Sequence, residues 1–435
     1  MNKRCVSAIA MLLLAFVFVP LVFSQEVSKK KDISVFNLSY YKSDIPKSAL
    51  GGIDEQIRSV FINLGRFNVI GMTYRLGEND VSEFIDKIKK YKEENTQIPE
   101  KVQMGQEFFT AADFNKLIGS FIVVIPAVSS YITERDKKSG DTTVTIRTSF
   151  TFINVEEIKS FAQFFVETSG TDELPAKAVQ AAVDDIPDQL SFETRKISEF
   201  KLRTGILEVK GGDVLMELGK DMGVTVGDEY VILVSKVLAS GKQISTEKGL
   251  ITIKDVQDEV STGAVVYSEG NPEPGEQLQE LPRFGTDTTP YINVGYDVFG
   301  NSGLSTLIGA RQTLSRGFYL FRPLAGIEVP LALDCITSSS FVANAYVGGE
   351  MDLNLGRLTL APMGTVGLGL RIPFKDTESF SLSHAGGTVS AALTYLFNND
   401  MKIALEGGYL MWFALESRSS TYQGAYVGGG LTIKY

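Results

Sequence analysis

From Phe284 onward, apolar and polar side chains alternate with a period of two, in eight runs separated by turn residues. The runs are 289–298, 304–314, 318–331, 341–355, 357–373, 385–397, 401–415 and 423–435. Most exceed the five or six residues usual in a soluble sheet, and a tilted strand needs about 9 to 11 residues to cross the hydrocarbon of a bilayer. Tight connections at Ser315-Arg316-Gly317, Leu355-Gly356-Arg357 and Asn398-Asn399-Asp400 alternate with longer ones around Gly300, Ile336, Glu378 and Ser419. Short turns on one rim and long loops on the other are a property of transmembrane barrels. The pattern predicts an eight-stranded antiparallel transmembrane β-barrel over residues 284–435.

The phase of the alternation assigns the two faces. Val427, Leu431, Ile433 and Tyr435 share one face of the last strand, and Tyr426, Thr432 and Lys434 the other. With the apolar face on lipid, the interior receives Arg311, Arg322, Glu328, Glu350, Asp352, Arg371, Lys402 and Glu406. Eight strands enclose only enough room for side chains, so these charges are expected to pair rather than line a pore. Outward aromatics are expected to form two girdles: Tyr319, Phe321, Tyr395, Phe397 and Tyr435 near the short turns, and Tyr296, Phe341 and Phe413 near the long loops. Pro323 and Pro362 each remove a ladder donor and are read as bulge markers.

These features resemble the small OmpA- or OmpX-like outer-membrane barrels. The end Leu431-Thr432-Ile433-Lys434-Tyr435 is similar to their terminal recognition strand. The resemblance implies contact with outer-membrane lipid and, during biogenesis, with the barrel-assembly machinery, read through Leu431, Ile433 and Tyr435. A soluble lipocalin-like barrel is the rival, since alternation alone does not say which face is outside.

The region 25–200 mixes periods. Ile33–Leu38 reads as a strand; Ile53, Ile57, Val60, Phe61 and Leu64 follow at helical spacing; Arg66–Ile70 returns as a strand. A second helix starts at Asp80, with Glu83 at the capping-box position, and buries Val81, Phe84, Ile85, Ile88 and Tyr91. Three hairpin-joined strands and one helix, 176–196, complete an α+β domain. Its segments DISVFNL and LGRFNVIG are similar to the periplasmic domains of the curli-secretion lipoprotein and the penicillin-binding-protein activators, which implies a protein-binding or assembly module.

Residues 201–268 read as a small β domain. GGDVLMELGKDMGVTVGDEYVIL and GLITIKDVQDEVSTGAVV look like the SH3-like carboxy-terminal domain of the flagellar assembly protein T family. Pro272, Pro274, Gly275 and Pro282 mark 269–283 as a linker.

Composition narrows the chemistry. Lys3, Arg4 and the apolar run Ala8–Phe23 predict an export signal over residues 1–24, placing the first two domains in the periplasm. With Cys5 in that signal, the mature chain has a single thiol, Cys335, and no intrachain disulfide. The chain carries 42 basic against 52 acidic residues, which argues against a nucleic-acid partner. One histidine and no phosphate-binding or metal-ligand motif point to no cofactor and no enzyme. The expected role is an outer-membrane anchor carrying modules for an unidentified periplasmic protein. One alternative is a lipid-modifying enzyme using His384 with Glu378, Ser381 and Ser383, against which His384 reads as an incidental loop residue; a surface adhesin is the other.

Overall fold

The computed structural model describes residues 27–435 apart from 41–44, 78–79, 94–97, 297, 299–302, 332–334, 337–338, 375–378 and 418. The expected export signal and Glu378 therefore lie outside the described residues. No helix among the described residues is long and apolar enough to cross a membrane.

The first unit runs β1 (Lys31–Val35), α1 (Lys47–Asn63), β2 (Phe67–Gly71), α2 (Val81–Glu93), β3 (Lys101–Met104), β4 (Glu107–Thr110), α3 (Ala111–Gly119), β5 (Ile122–Arg135), β6 (Thr142–Asn154), β7 (Lys159–Asp172), α4 (Pro175–Asp184) and α5 (Ile186–Lys196). Its five-stranded sheet has the order β2-β1-β5-β6-β7, with β1 parallel to both neighbours and β5, β6 and β7 antiparallel. The first helix buries Ile53, Ile57, Val60 and Phe61 with Ala182, Val183 and Leu190 of α4 and α5 in one core. Phe84 and Ile88 of α2 join Phe114 and Leu117 of α3 in a second. The expected single helix over 176–196 is two. Pro187 stands in the first turn of α5, where its missing N–H costs nothing, and it cannot continue the bonding of α4. The expected capping box also differs, because Glu83 accepts from Gly105 N–H at 3.1 Å and pairs with Lys87 at 2.5 Å.

The second unit comprises β8 (Arg203–Lys210), β9 (Asp213–Met216), β10 (Glu229–Val237), β11 (Gln243–Val256), β12 (Ser261–Ser268) and β13 (Gln277–Leu281). These six close into a small barrel in the order β10-β11-β12-β9-β8-β13. Part of the expected linker is thus a strand: Gln277–Leu281 pairs with β10 on one side and β8 on the other. Leu278 is buried in the barrel core and Glu280 is also buried, as the alternation of Gln277-Leu278-Gln279-Glu280 requires.

The third unit consists of β14 (Thr286–Tyr296), β15 (Leu304–Leu314), β16 (Phe321–Leu331), β17 (Ser340–Met351), β18 (Leu353–Leu355), β19 (Leu358–Pro373), β20 (Ser381–Asn398), β21 (Met401–Ala414) and β22 (Tyr422–Lys434). Strand β18 continues β17 past Asp352, whose N–H turns aside to the Leu320 carbonyl at 3.0 Å. Each strand is antiparallel to its neighbours, and β14·β22 and β17·β19 pairing closes an eight-stranded barrel. Ile403, Leu405, Val427, Val389 and Ile327 project outward and stay exposed, whereas Arg311, Arg322, Glu328 and Glu406 are buried inside. A calyx would have the opposite polarity.

Neither proline marks a bulge. Pro323 pairs regularly with Gly349 one residue beyond the end of the β15 ladder, and Pro362 pairs with Ala391 opposite the break between β17 and β18. Each stands where the ladder on one flank is already interrupted, so a missing donor is tolerated. The register shifts of this barrel fall instead at Gly369/Leu370 and Leu396/Asn398.

Candidate functional site: a docking seam and a filled lumen

The three short turns of the large barrel all meet the small barrel. Gly317 N–H donates to the Val226 carbonyl at 2.6 Å, the Arg357 guanidinium lies 3.6 Å over the Tyr267 ring, and Tyr267 donates to Asn399 at 2.8 Å. Val231, Leu250 and Leu396 form an apolar cluster between the two. Two glycines at positive φ permit the approach. A Cβ on Gly227 would lie 2.1 Å from the Ser315 carbonyl oxygen, and one on Gly223 would lie 2.1 Å from that of Leu64 in the first unit. The small barrel thus sits over the short-turn mouth of the large one, with the α+β unit against its side.

Buried charges tie the three units together. Arg195 of α5 donates to Glu280 at 2.7 Å and to Asp228 at 2.9 Å, and all three are almost fully buried. Arg66, just ahead of β2, reaches the other Glu280 oxygen at 2.7 Å and the Phe200 carbonyl at 2.9 Å. Arg316, in the first short turn, donates to Asp228 at 2.9 Å. Arg283 joins Glu229 at 2.9 Å to Asp400 of the third short turn at 2.7 Å, and Lys434 of β22 also donates to Glu229. Burial alone would raise the Glu280 pKa, but Arg66 and Arg195 outweigh it and hold the group at about 2. Glu229 is lowered in the same way, Lys434 and Arg283 offsetting its desolvation. None of these seam residues is legible as a site in the sequence, where nothing links the charges of one unit to those of another.

Inside the large barrel the eight expected lumen charges fall into three layers. Nearest the seam, Arg322 binds Asp287 at 2.6 Å and Asp352 at 2.7 Å and lies 3.6 Å from Glu350, with Lys402 3.7 Å from Asp352. In the middle, Arg311 donates to Glu406 at 2.6 Å, which also accepts from Tyr426 at 2.6 Å. Tyr291 and Asn344 donate to Glu328 there, both at 3.1 Å. Toward the long loops, Arg371 binds Glu416 at 2.6 Å and Ser419 at 2.9 Å. Asp287, Tyr291, Asn344 and Glu416 complete these layers and were not expected as partners. A cavity of about 20 Å³ remains among Tyr291, Glu328 and Glu406, room for little more than one water.

Of the expected girdle residues, Tyr296, Phe321, Tyr395, Phe397, Phe413 and Tyr435 are exposed on the outer wall. Phe341 is half-buried and stacks on Phe374, their ring centroids 5.7 Å apart. Tyr319 is a correction. It precedes β16 and lines the cavity between the two barrels with Gly227, Glu229 and Val266, because the chain turns there to meet the small barrel.

His384 is likewise not a loop residue. The bulge opposite Gly369 turns both Ser383 and His384 inward, where they are buried. His384 Nδ1 lies 3.0 Å from Ser383 Oγ, and Nε2 lies 3.1 Å from the Ser420 carbonyl. Nε2 donates to that carbonyl, and the Ser383 hydroxyl donates to the Gly369 carbonyl at 3.0 Å. A serine beside a histidine is the beginning of an acyl-transfer pair, but here neither side chain faces solvent or the outer wall. Substituting His384 by Ala is expected to leave the lipid A of the host unchanged by mass spectrometry.

Cys335, beside the longer connection around Ile336, is 2% exposed and packs with Val342, Trp412 and Tyr422 at the loop end of the lumen. A membrane-impermeant maleimide is therefore expected to react slowly with the folded protein and fully after boiling in dodecyl sulfate. Equal rates before and after boiling would contradict the packing.

No family model and no curated protein matches the sequence. Among solved structures, the chain is similar to Neisserial surface protein A at 11% identity, over 34% of this chain and 94% of that one, with a TM-score of 0.25. It is also similar to the hypothetical protein CT253 of Chlamydia trachomatis, at 8% identity over 39% and 91%, TM-score 0.23. A third is lipoprotein GNA1162 of Neisseria meningitidis, at 12% identity over 37% and 98%, TM-score 0.21. Likenesses at this level bear no weight for family or activity.

Proposed function

We propose that this chain is an outer-membrane anchor whose large barrel holds two modules at the periplasmic face, where they bind a protein of the envelope. The observation that carries the reading is the polarity of the barrel: an outer wall dominated by apolar side chains around a lumen filled with paired charges. Closed ladders with apolar walls suit lipid, since every backbone group is satisfied within the barrel. A lumen filled by ion pairs and covered by the small barrel favours an anchor over a channel. Both modules lie on the short-turn side, which is the periplasmic side in such barrels. The α+β unit and the small barrel, read as SH3-like, supply exposed surface for a partner, and the seam fixes how that surface is presented.

The test is twofold. The protein should fractionate with outer membrane and run faster unheated than boiled, because a closed ladder resists detergent until heated. Release by a salt wash would overturn the anchor. Proximity labelling from Ser245, in β11 of the small barrel, should mark periplasmic proteins; labelling of extracellular ones would invert the topology.

A further inference from the structure

Where the α+β unit meets the barrel rim, four aromatic side chains from separate parts of the chain line one groove of about 300 Å³: Phe165 of β7, Phe192 of α5, Phe284 and Tyr435. Phe192 meets Phe284 edge to face with ring centroids 5.6 Å apart. Phe284 N–H in turn donates to the Tyr435 carbonyl at 2.7 Å. Phe165, Phe284 and Tyr435 are 46%, 39% and 49% exposed, so the groove is open along its length.

Two features say what the groove faces. First, Tyr435 follows Ile433 and Leu431 on the outer face of β22, so the aromatic part of the groove continues the apolar wall of the barrel past its rim, with Gln189, Glu193 and Thr286 along its polar edge. Second, cations lie over its aromatic rings. The Arg147 guanidinium is 4.4 Å from the Phe165 ring centroid, and Lys196 Nζ, paired with Glu193 at 2.9 Å, is 5.0 Å from that of Phe192. An aromatic body capped by a cation is the amphipathic arrangement that lies in the headgroup layer of a bilayer, apolar part down and charge toward phosphate.

We propose that this groove is a lipid-contacting shelf, on which a phospholipid of the periplasmic leaflet lays the upper part of an acyl chain against Phe165 and Phe192, with its phosphate toward Arg147. The shelf rests on the reading of the barrel as membrane-spanning, and it makes the α+β unit a second point of membrane contact, seated about 5–10 Å into the headgroup boundary. It also fixes the orientation of the unit: the sheet edge formed by β7, with the outer side of α5, faces lipid.

The experiment uses the full chain in vesicles of phosphatidylethanolamine and phosphatidylglycerol doped with phospholipid brominated either near the headgroup or near the chain ends. Phe165→Trp and, separately, Val427→Trp at the outer wall of β22 are compared with the parent, whose Trp412 is buried in the lumen and gives the background. Heat-modifiable mobility of each variant confirms folding. Phe165→Trp should lose emission to the headgroup-side bromolipid more than to the chain-end one, and Val427→Trp should show the reverse order. Quenching at position 427 but not at 165, with 165 open to a soluble quencher, overturns the shelf and leaves the anchor standing. Absence of quenching at 427 overturns both.

Discussion

Glu280→Leu is expected to lower the unfolding free energy by about 3–5 kcal/mol, the cost of leaving a buried charge without its partner. Glu280 accepts from Arg66, from Arg195 and from the Leu202 N–H at 3.0 Å. Its removal leaves Arg66 buried with only the Phe200 carbonyl, while Arg195 keeps Asp228. Urea unfolding of the full chain in detergent should show a lower first midpoint, and limited proteolysis should cut the α+β unit from the rest sooner. The variant should also change the response to acid. Because the folded pKa of Glu280 is depressed to about 2 from an ordinary value of 4.5, its contribution is present in full above 4.5 and disappears as pH falls toward 2. That part of the acid sensitivity should be absent from Glu280→Leu. An unchanged midpoint with unchanged acid sensitivity would mean that the seam does not join the units.

The second large effect is expected in the lumen. Arg322→Met removes the cation that Asp287, Asp352 and Glu350 share and leaves Lys402, 3.9 Å from Asp287 and 3.7 Å from Asp352, as their counter-charge. Three buried carboxylates then keep no cation closer than Lys402, which lies within 4 Å of only two of them, so a loss of about 3–5 kcal/mol is expected. It is read as a lower temperature at which the unheated electrophoretic form disappears. Adding Asp352→Leu should recover part of the loss, and the shortfall from additivity measures the pair. If Arg322→Met keeps the parent temperature, the lumen network is not what holds the barrel rigid.

The large barrel was legible because a strand between an apolar outer wall and a packed lumen repeats every two residues over its whole length. Ile403 and Leu405 against Lys402 and Glu406 fix the face of β21 without any fold in view. The same phase found the eight lumen charges, yet it could not say which of them pair, since Arg322 and Asp287 are 35 positions apart and meet only when the barrel closes. Where two walls compete for one segment, the pattern weakens. Tyr319 alternates like a girdle residue but turns to the small barrel, and the bulge at Ser383 rotates His384 inward against its expected loop. β13 was hidden by Pro272, Pro274 and Pro282, whose turn chemistry outweighs five alternating residues. The seam was illegible for a different reason: Arg66, Arg195, Asp228 and Glu280 come from separate units, and no local period connects them.

Lys434 has a consequence for how the molecule is made. It sits in β22, the strand that closes the large barrel against β14, and its ammonium ends on Glu229 of the small barrel. A copy whose small barrel had not folded would close with that ammonium at an uncovered mouth, without the Glu229 carboxylate it meets in the finished molecule. The strand that completes one barrel thus also carries a charge that only the other barrel, once folded, pairs, so closure of the large barrel and seating of the small one meet at a single contact.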